Sequence, residues 1–153
     1  MQFSIQREAL LKPLQQVVGV VERRQTLPVL ANLLVRVADG KVSFTGTDLE
    51  VEMIATTEAE KLADGEITIP ARKLFDIVRA LPDGARIELK LNGDRIALNA
   101  GRSRFTLATL PATEFPTIDE IELVERVSLP EEVLRDLMEH TSFAMAIASS
   151  SLL

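Results

Sequence analysis

The 153-residue chain has no cysteine, tryptophan or tyrosine, and a single histidine, His140. Without thiols there can be no disulfide framework, thiolate nucleophile or cysteine metal site. One histidine supplies neither a His-rich metal cluster nor an HExxH pair. With six Phe as its only aromatics, the chain has few platforms on which single-stranded nucleic acid could stack. No apolar run approaches the roughly 18 residues of a membrane span. Met1 opens directly on an alternating stretch rather than on a basic and then apolar leader, so a soluble cytoplasmic protein without membrane contact is expected. GxGxxG, P-loop and GxSxG motifs are missing too, and neither a cofactor nor a catalysed reaction is expected.

The net charge of -6 is unevenly placed. Residues 1–113 carry 15 Lys and Arg against 14 Asp and Glu, whereas residues 114–153 carry 2 against 9. Within the first part, residues 48–66 hold seven acids and one lysine, which leaves the remainder net basic. A locally basic surface on an acidic chain suits contact with a polyanion on one face only, although ordinary solvated charge has the same appearance.

A repeat organises what is there. "FSIQREALLKPL" (Phe3 to Leu14), "ITIPARKLFDIV" (Ile67 to Val78) and "VSLPEEVLRDLM" (Val127 to Met138) align without gaps. Each reads apolar, Ser or Thr, apolar, then a helical apolar face, which marks a recurring supersecondary unit. After the first copy come strand-like runs at Leu30 to Ala38, Lys41 to Thr45 and Leu49 to Thr57, separated by Asp39-Gly40 and Gly46-Thr47-Asp48. After the second come Arg86 to Leu91, Arg95 to Asn99 and Ser103 to Thr109. The unit is therefore strand, helix, three strands. Two of them, over about 1–62 and 66–113, predict one α+β domain with its helices together on one side of antiparallel sheets. The proline-containing acidic stretch up to residue 125 reads as a linker, and residues 126–153 as the incomplete start of another domain whose helix runs from about Pro130 to Met145. Pro13 falls inside the first helical pattern, where it either kinks the helix or marks its true start.

Catalytic candidates are few. Asp48, Glu50 and Glu52 would share one face of a strand, with an acidic outer sheet face the plainer reading, and His140 reads as a surface or capping residue late in a helix. Binding candidates are better. The apolar face of the first helix leaves Arg7, Lys12, Gln15, Gln16 and Arg23 outside it. That of the second leaves Arg72, Lys73, Asp76 and Arg79. Together they predict a mildly basic, glutamine-bearing surface able to meet phosphates without reading bases.

"REALLKPLQQVVGVVERRQTLPVLANLLV", "FTGTDLEVEM", "IPARKLFDIVRALPDGARI" and "GRSRFTLATLPATEFP" closely resemble the amino-terminal domain of the bacterial DNA polymerase III beta subunits, the sliding clamps. The resemblance implies a DNA clamp fold built from two such repeats. It implies a non-catalytic processivity factor that tethers the replicative polymerase, as a ring of two subunits with helices lining a hole around duplex DNA of any sequence. It places Arg24 in a loop that touches DNA, and Lys12, Gln15, Gln16, Arg72 and Arg79 on the hole side. It places the ring joint at the edge strand 103–109, where Phe105 and Leu107 supply apolar contact to the second subunit and Lys73, Arg95, Arg102 and Arg104 face an acidic helix. The alternative for Phe105 and Leu107 is a plain core role. Relatives hold the polymerase and clamp loader in a pocket of later domains, which this chain does not reach, so it is expected not to close a ring. A second reading is an interaction module that pairs through 103–109 with an intact clamp and interferes with ring closure.

Overall fold

The computed structural model describes residues 1–21, 27–116 and 127–144, with the backbone alone at 61 and 62. It divides into two compact units, Met1–Ile118 and Asp119–Leu153.

The first unit opens with β1 (Gln2–Gln6) and α1 (Arg7–Val18), followed by a short 3-10 turn, Pro28–Ala31, and by β2 (Asn32–Ala38), β3 (Lys41–Thr47), β4 (Glu52–Glu58) and β5 (Glu60–Ala63). The second repeat supplies β6 (Gly65–Pro70), α2 (Ala71–Ala80), β7 (Arg86–Asn92), β8 (Arg95–Ala100) and β9 (Ser103–Ala108). The strands form a five-stranded sheet of order β5-β1-β7-β8-β9 and a four-stranded sheet of order β4-β3-β2-β6. Every ladder is antiparallel.

The two repeats do not fold side by side. β1, from the first, pairs with β7 of the second, Phe3 facing Leu89 and Ile5 facing Ile87. β6, from the second, pairs with β2 of the first, Leu33 facing Ile69 and Val35 facing Ile67. Each repeat thus donates its opening strand to the other's sheet, and their apolar faces merge into one core that includes Phe3, Leu10, Leu14, Leu33, Phe44, Leu74, Leu89 and Leu98. No half can bury its apolar face alone.

The strand region 48–66 differs from its expected form. β5 is a separate strand, paired with β1 at Ser4 and Glu60. Its counterpart in the second repeat is one bridge, between Thr68 and Leu110. Thr68 has no exposed surface, and its hydroxyl is saturated: it accepts from Asn32 Nδ2 at 2.8 Å and from the Leu110 N–H at 3.2 Å, and donates to the Leu110 carbonyl at 2.9 Å. One hydroxyl has one donor and two acceptor sites, so the Thr68 hydroxyl has no capacity left over.

Residues 48–51 are a turn, and Asp48, Glu50 and Glu52 therefore do not line one strand face. Asp48 instead accepts the N–H groups of Glu50 at 2.9 Å and Val51 at 2.7 Å, and these bonds, Val51's first, hold its carboxyl below the usual range. Local capping outcompetes extension here, because an Asx turn satisfies two N–H groups at once.

Gly46 also proves to be strand rather than turn. A Cβ there would lie 2.9 Å from the Val17 carbonyl oxygen, 3.2 Å from Leu33 Cδ2 and 3.3 Å from Val21 Cγ2, so this glycine lets α1 sit close on β3. Gly46→Ala is expected to cost about 1–3 kcal/mol by forcing helix and strand apart. Gly19→Ala, at φ -61 with its nearest contact at 3.6 Å, should be neutral or gain up to about 1 kcal/mol. Urea denaturation of the two variants checks the contrast.

Pro13 lies within α1 without ending it, its ring buried. The carbonyl that loses its donor belongs to Ala9, an exposed residue at which water can replace the bond. The stretch expected as a linker begins as packed structure: after a 3-10 turn at Ala112–Glu114, Phe115 is buried with Val29, Leu30 and Leu34. The rest of that stretch, 117–126, is outside the described residues.

In the second unit, α3 spans Glu131–Ser142 with Pro130 as its N-cap residue. The expected strand at Val127–Leu129 is not formed among the described residues, since a strand requires a partner for its backbone. The apolar stripe of α3, Val133, Leu134, Leu137 and Met138, is exposed. His140 places Nδ1 2.8 Å from the Asp136 carbonyl oxygen, a local helix contact in keeping with the surface reading. Among the described residues no helix is long and apolar enough to cross a membrane.

Candidate functional site

Two surfaces of the first unit gather the candidate residues: the paired helices, and the open edge at β9.

The helices lie head to tail and are tied by reciprocal arginines. Arg7, the first residue of α1, sends Nε to the Val78 carbonyl and Nη2 to the Arg79 carbonyl, both at 3.0 Å, and Nη1 to Asp83 Oδ1 at 2.6 Å. Arg72, the second residue of α2, sends Nη2 to the Val21 carbonyl beyond the end of α1 at 2.9 Å. A guanidinium at a helix C-terminus satisfies carbonyls that have no intrahelical donor and meets the negative end of the dipole. The start of α1 is satisfied from the same connection. Gln6 makes no side-chain cap; the Arg7 N–H instead donates to the Ala85 carbonyl at 2.9 Å. The Gly84 N–H donates to Glu8 Oε1 at 2.9 Å, and that bond is the main cause of the lowered carboxyl pKa of Glu8.

Arg7 therefore does not belong to the exposed basic surface; its side chain is 13% exposed. Arg72 is exposed but anchored. Arg79 lies over the Phe75 ring at 5.5 Å and contacts Asp76 Oδ1 at 3.3 Å. Lys12, Gln15 and Gln16 are exposed on α1, with no ion pair or side-chain hydrogen bond among the described residues. Arg24 is outside the described residues. The surface is thus mildly basic, with two arginines held by protein groups and Lys12 free to exchange partners.

β9 is an edge strand, as the resemblance implied. Its Phe105 and Leu107 face Leu98 and Ile96 across the ladder. Both are half-buried and packed against the main core. They share the core's face of the sheet while their outer sides stay open, which combines the two roles considered from sequence. Arg104 and Thr106 point to the other face. Arg95, Arg102, Arg104 and Lys73 are all exposed and free of ion pairs among the described residues. Cations along an unpaired edge hinder random edge-to-edge aggregation.

Sequence reasoning overlooked the arginine ties and the buried hydroxyl, although signals existed. Both helices carry an arginine in their opening turn, and the repeat retains Ser or Thr between two apolar residues at positions 4 and 68.

The sequence profile described as "DNA polymerase III beta subunit, N-terminal domain" matches residues 1–119. The chain belongs to that family. Over 147 residues it is 56% identical to the beta sliding clamp of Pseudomonas putida and 50% identical to that of Escherichia coli K12, in each case 95% of this chain and 40% of the relative. Among solved structures, the Pseudomonas aeruginosa DnaN sliding clamp bound to griselimycin superimposes with a TM-score of 0.92 at 52% identity, covering 98% of this chain and 41% of that one. Caulobacter crescentus pol III beta gives 0.93 at 41% identity, with 98% and 40% covered. This beta-subunit chain thus spans about two-fifths of the length of the relatives it matches, and its α+β architecture of exchanged repeats is that of the sliding clamp fold.

Proposed function

We propose that the first unit is the DNA-facing first domain of a sliding clamp, a non-catalytic processivity factor that tethers a replicative polymerase to duplex DNA. The observation that carries this reading is the division of cations on a family-matched fold. Arg7 is consumed in holding the helix pair, whereas Lys12 stands exposed and unpaired on it beside Gln15 and Gln16. Phosphates spaced one charge per roughly 1.7 Å of duplex would be held fast by a dense cationic lining. Sparse cations and amides instead make contacts that exchange, partly through water, so a ring retained by topology can slide. Arg24, Lys12, Gln15, Gln16, Arg72 and Arg79 are the proposed DNA-side residues. Lys73, Arg95, Arg102, Arg104, Phe105 and Leu107 are the proposed joint to a second subunit. Polymerase and clamp loader would act through later domains of the whole protein.

Fluorescence anisotropy with a duplex oligonucleotide tests this. Binding is expected to be weak, indifferent to sequence and steeply salt-dependent, and Lys12→Ala should lower the slope of log K against log salt by about 0.9. Salt-independent binding, or a preference for single strands, would overturn it.

The open β9 edge also favours a second reading, in which the chain pairs through 103–109 with an intact clamp and modulates ring closure. Mass measurement on a mixture with intact clamp decides this: a mixed species supports it, and unmixed masses remove it.

A further inference from the structure

A buried hydroxyl on the four-stranded sheet of the first unit has no partner. Thr45 of β3 lies between Leu34 of β2 and Ile54 of β4, and Leu34 in turn lies beside Thr68 of β6. Two threonines therefore flank one leucine in a single rank across the sheet. The Thr68 hydroxyl is saturated within the chain. Thr45 is 8% exposed, yet its hydroxyl makes no hydrogen bond among the described residues. A buried polar group in that state costs free energy unless a group from outside the chain completes it.

This rank belongs to the sheet face turned away from the main core. The alternate residues Leu33, Val35, Val42 and Phe44 are in that core, whereas Leu34 packs with Val29, Leu30 and Phe115. On the outer face β3 carries the short side chains of Ser43 and Thr45 between longer ones on β2 and β4, and a groove follows the strand. Its narrow part, about 170 Å³, has Thr45 and Ser43 between the apolar walls of Leu34 and Ile54. Its wide part, about 340 Å³, continues past Arg36 and Thr56 to Lys41 and Asp39. The charges of the groove are largely answered within the chain. Arg36 gives Nε and Nη2 to Glu66 Oε2 at 2.9 and 2.8 Å, Lys41 has Glu58 across the ladder, and Glu52 has a partner of its own.

We propose that this groove takes a short, uncharged, extended peptide segment bearing a branched apolar side chain. That side chain sits between Leu34 and Ile54, where both walls are hydrocarbon and Ile54 is 59% exposed. The adjoining peptide group meets the Thr45 hydroxyl, which can accept an N–H or donate to a carbonyl. Same-face residues of a strand recur about every 6.6 Å, so the Thr45 and Ser43 hydroxyls have the spacing of alternate peptide groups in an extended chain. The groove lies on the opposite face of the sheet from the core that holds Leu10 and Leu14 of α1. It is therefore separate from the helix surface proposed for DNA, and the inference goes beyond that reading.

The test is a titration of the full chain, labelled in its methyl groups, with the capped dipeptide acetyl-Leu-Ser-amide, followed by NMR. The methyl signals of Leu34, Thr45 and Ile54 should shift saturably with a dissociation constant of about 1 mM, since so small a ligand has few atoms with which to bind. Added salt should change that constant less than about twofold, because no ion is exchanged. Thr45→Val keeps the shape and removes the hydroxyl, and should weaken binding about fivefold. Its urea midpoint without peptide should stay level or rise, since no bond within the chain is lost. Ile54→Ser, at an exposed wall, should also weaken binding about fivefold. Unchanged affinity in Thr45→Val would overturn the inference, and so would a fall in its urea midpoint, which would show the hydroxyl already bonded within the chain. Shifts caused by inorganic phosphate and not by the dipeptide would replace it with an anion site at Arg36 and Lys41. The absence of saturable shifts at the three methyl-bearing residues would overturn it as well.

Discussion

Phe3→Ala is expected to remove about 3–5 kcal/mol from the stability of the first unit, a large share of the roughly 5–15 kcal/mol available to a domain. Phe3 is fully buried in β1, which lies between β5 and β7. That position makes it more than an ordinary core residue. β1 is the strand the first repeat donates to the second, so the cavity opens where the two halves are joined and cannot be closed by either relaxing alone. Urea denaturation followed by circular dichroism should show the midpoint fall with the slope unchanged. Phe143→Ala provides the control: that ring is 88% exposed, and its loss should stay within about 0.5 kcal/mol. A Phe3→Ala cost below about 1 kcal/mol would contradict the exchanged-strand core.

Arg7→Ala is expected to cost about 2–3 kcal/mol, because it leaves two carbonyls at the end of α2 without their charged donor. Four contacts could carry that energy, to Val78, Arg79, Asp83 and, at 3.4 Å, the neighbouring Glu8, and burial separates the carbonyl ties from the ion pairs. Asp83 is 95% exposed, so Asp83→Ala should cost under about 1 kcal/mol despite the 2.6 Å contact, water screening most of the attraction. The bonds to Val78 and Arg79 stay when Asp83 is removed. Arg7→Lys should recover only part of the loss, since an ammonium cannot span two carbonyls with a planar fork. Hydrogen exchange offers an independent reading: the last turn of α2 should lose amide protection in Arg7→Ala, although the substitution is made on α1. Equal costs for Asp83→Ala and Arg7→Ala would show that the ion pair, and not the carbonyl ties, holds the helices.

The same ties bear on how the domain would meet a polyanion. On the proposed reading, a rigid helix pair would present its cations at fixed separation, and the arginines that tie the helices would be partly withdrawn from the phosphates. Lys12→Ala and Arg7→Ala should therefore separate cleanly, the first changing the salt slope of DNA binding and the second the stability.

Much of this was legible in sequence because it rests on local pattern. Alternation in Ile87, Leu89 and Leu91 specifies a half-buried strand wherever it is found, and 3.6-residue spacing marks α1 and α2. The threefold recurrence of apolar, Ser or Thr, apolar before a helix revealed the repeat, and with it β9 as a strand at the end of its unit. The misreadings have a common form. Asp48 and Glu50 read as strand because their neighbours alternate, yet Asp48 could cap the two following N–H groups within reach. Gly46 read as turn because glycine usually punctuates, whereas its role is set by Val17 on a helix distant in sequence. Arg7 read as exposed from its place on a helical wheel, which cannot represent the end of another helix.

By itself, the sequence determined the elements, their repetition, the family and the uneven charge, since each follows from residue order over short spans. Only the tertiary structure decided that the repeats exchange β1 and β6, and that Arg7 and Arg72 each bind a carbonyl at or just beyond the end of the other's helix. Those outcomes depend on pairs such as Phe3 with Leu89 and Arg7 with Val78, dozens of residues apart. Chain order alone does not bring such groups together; the packing of one shared core does.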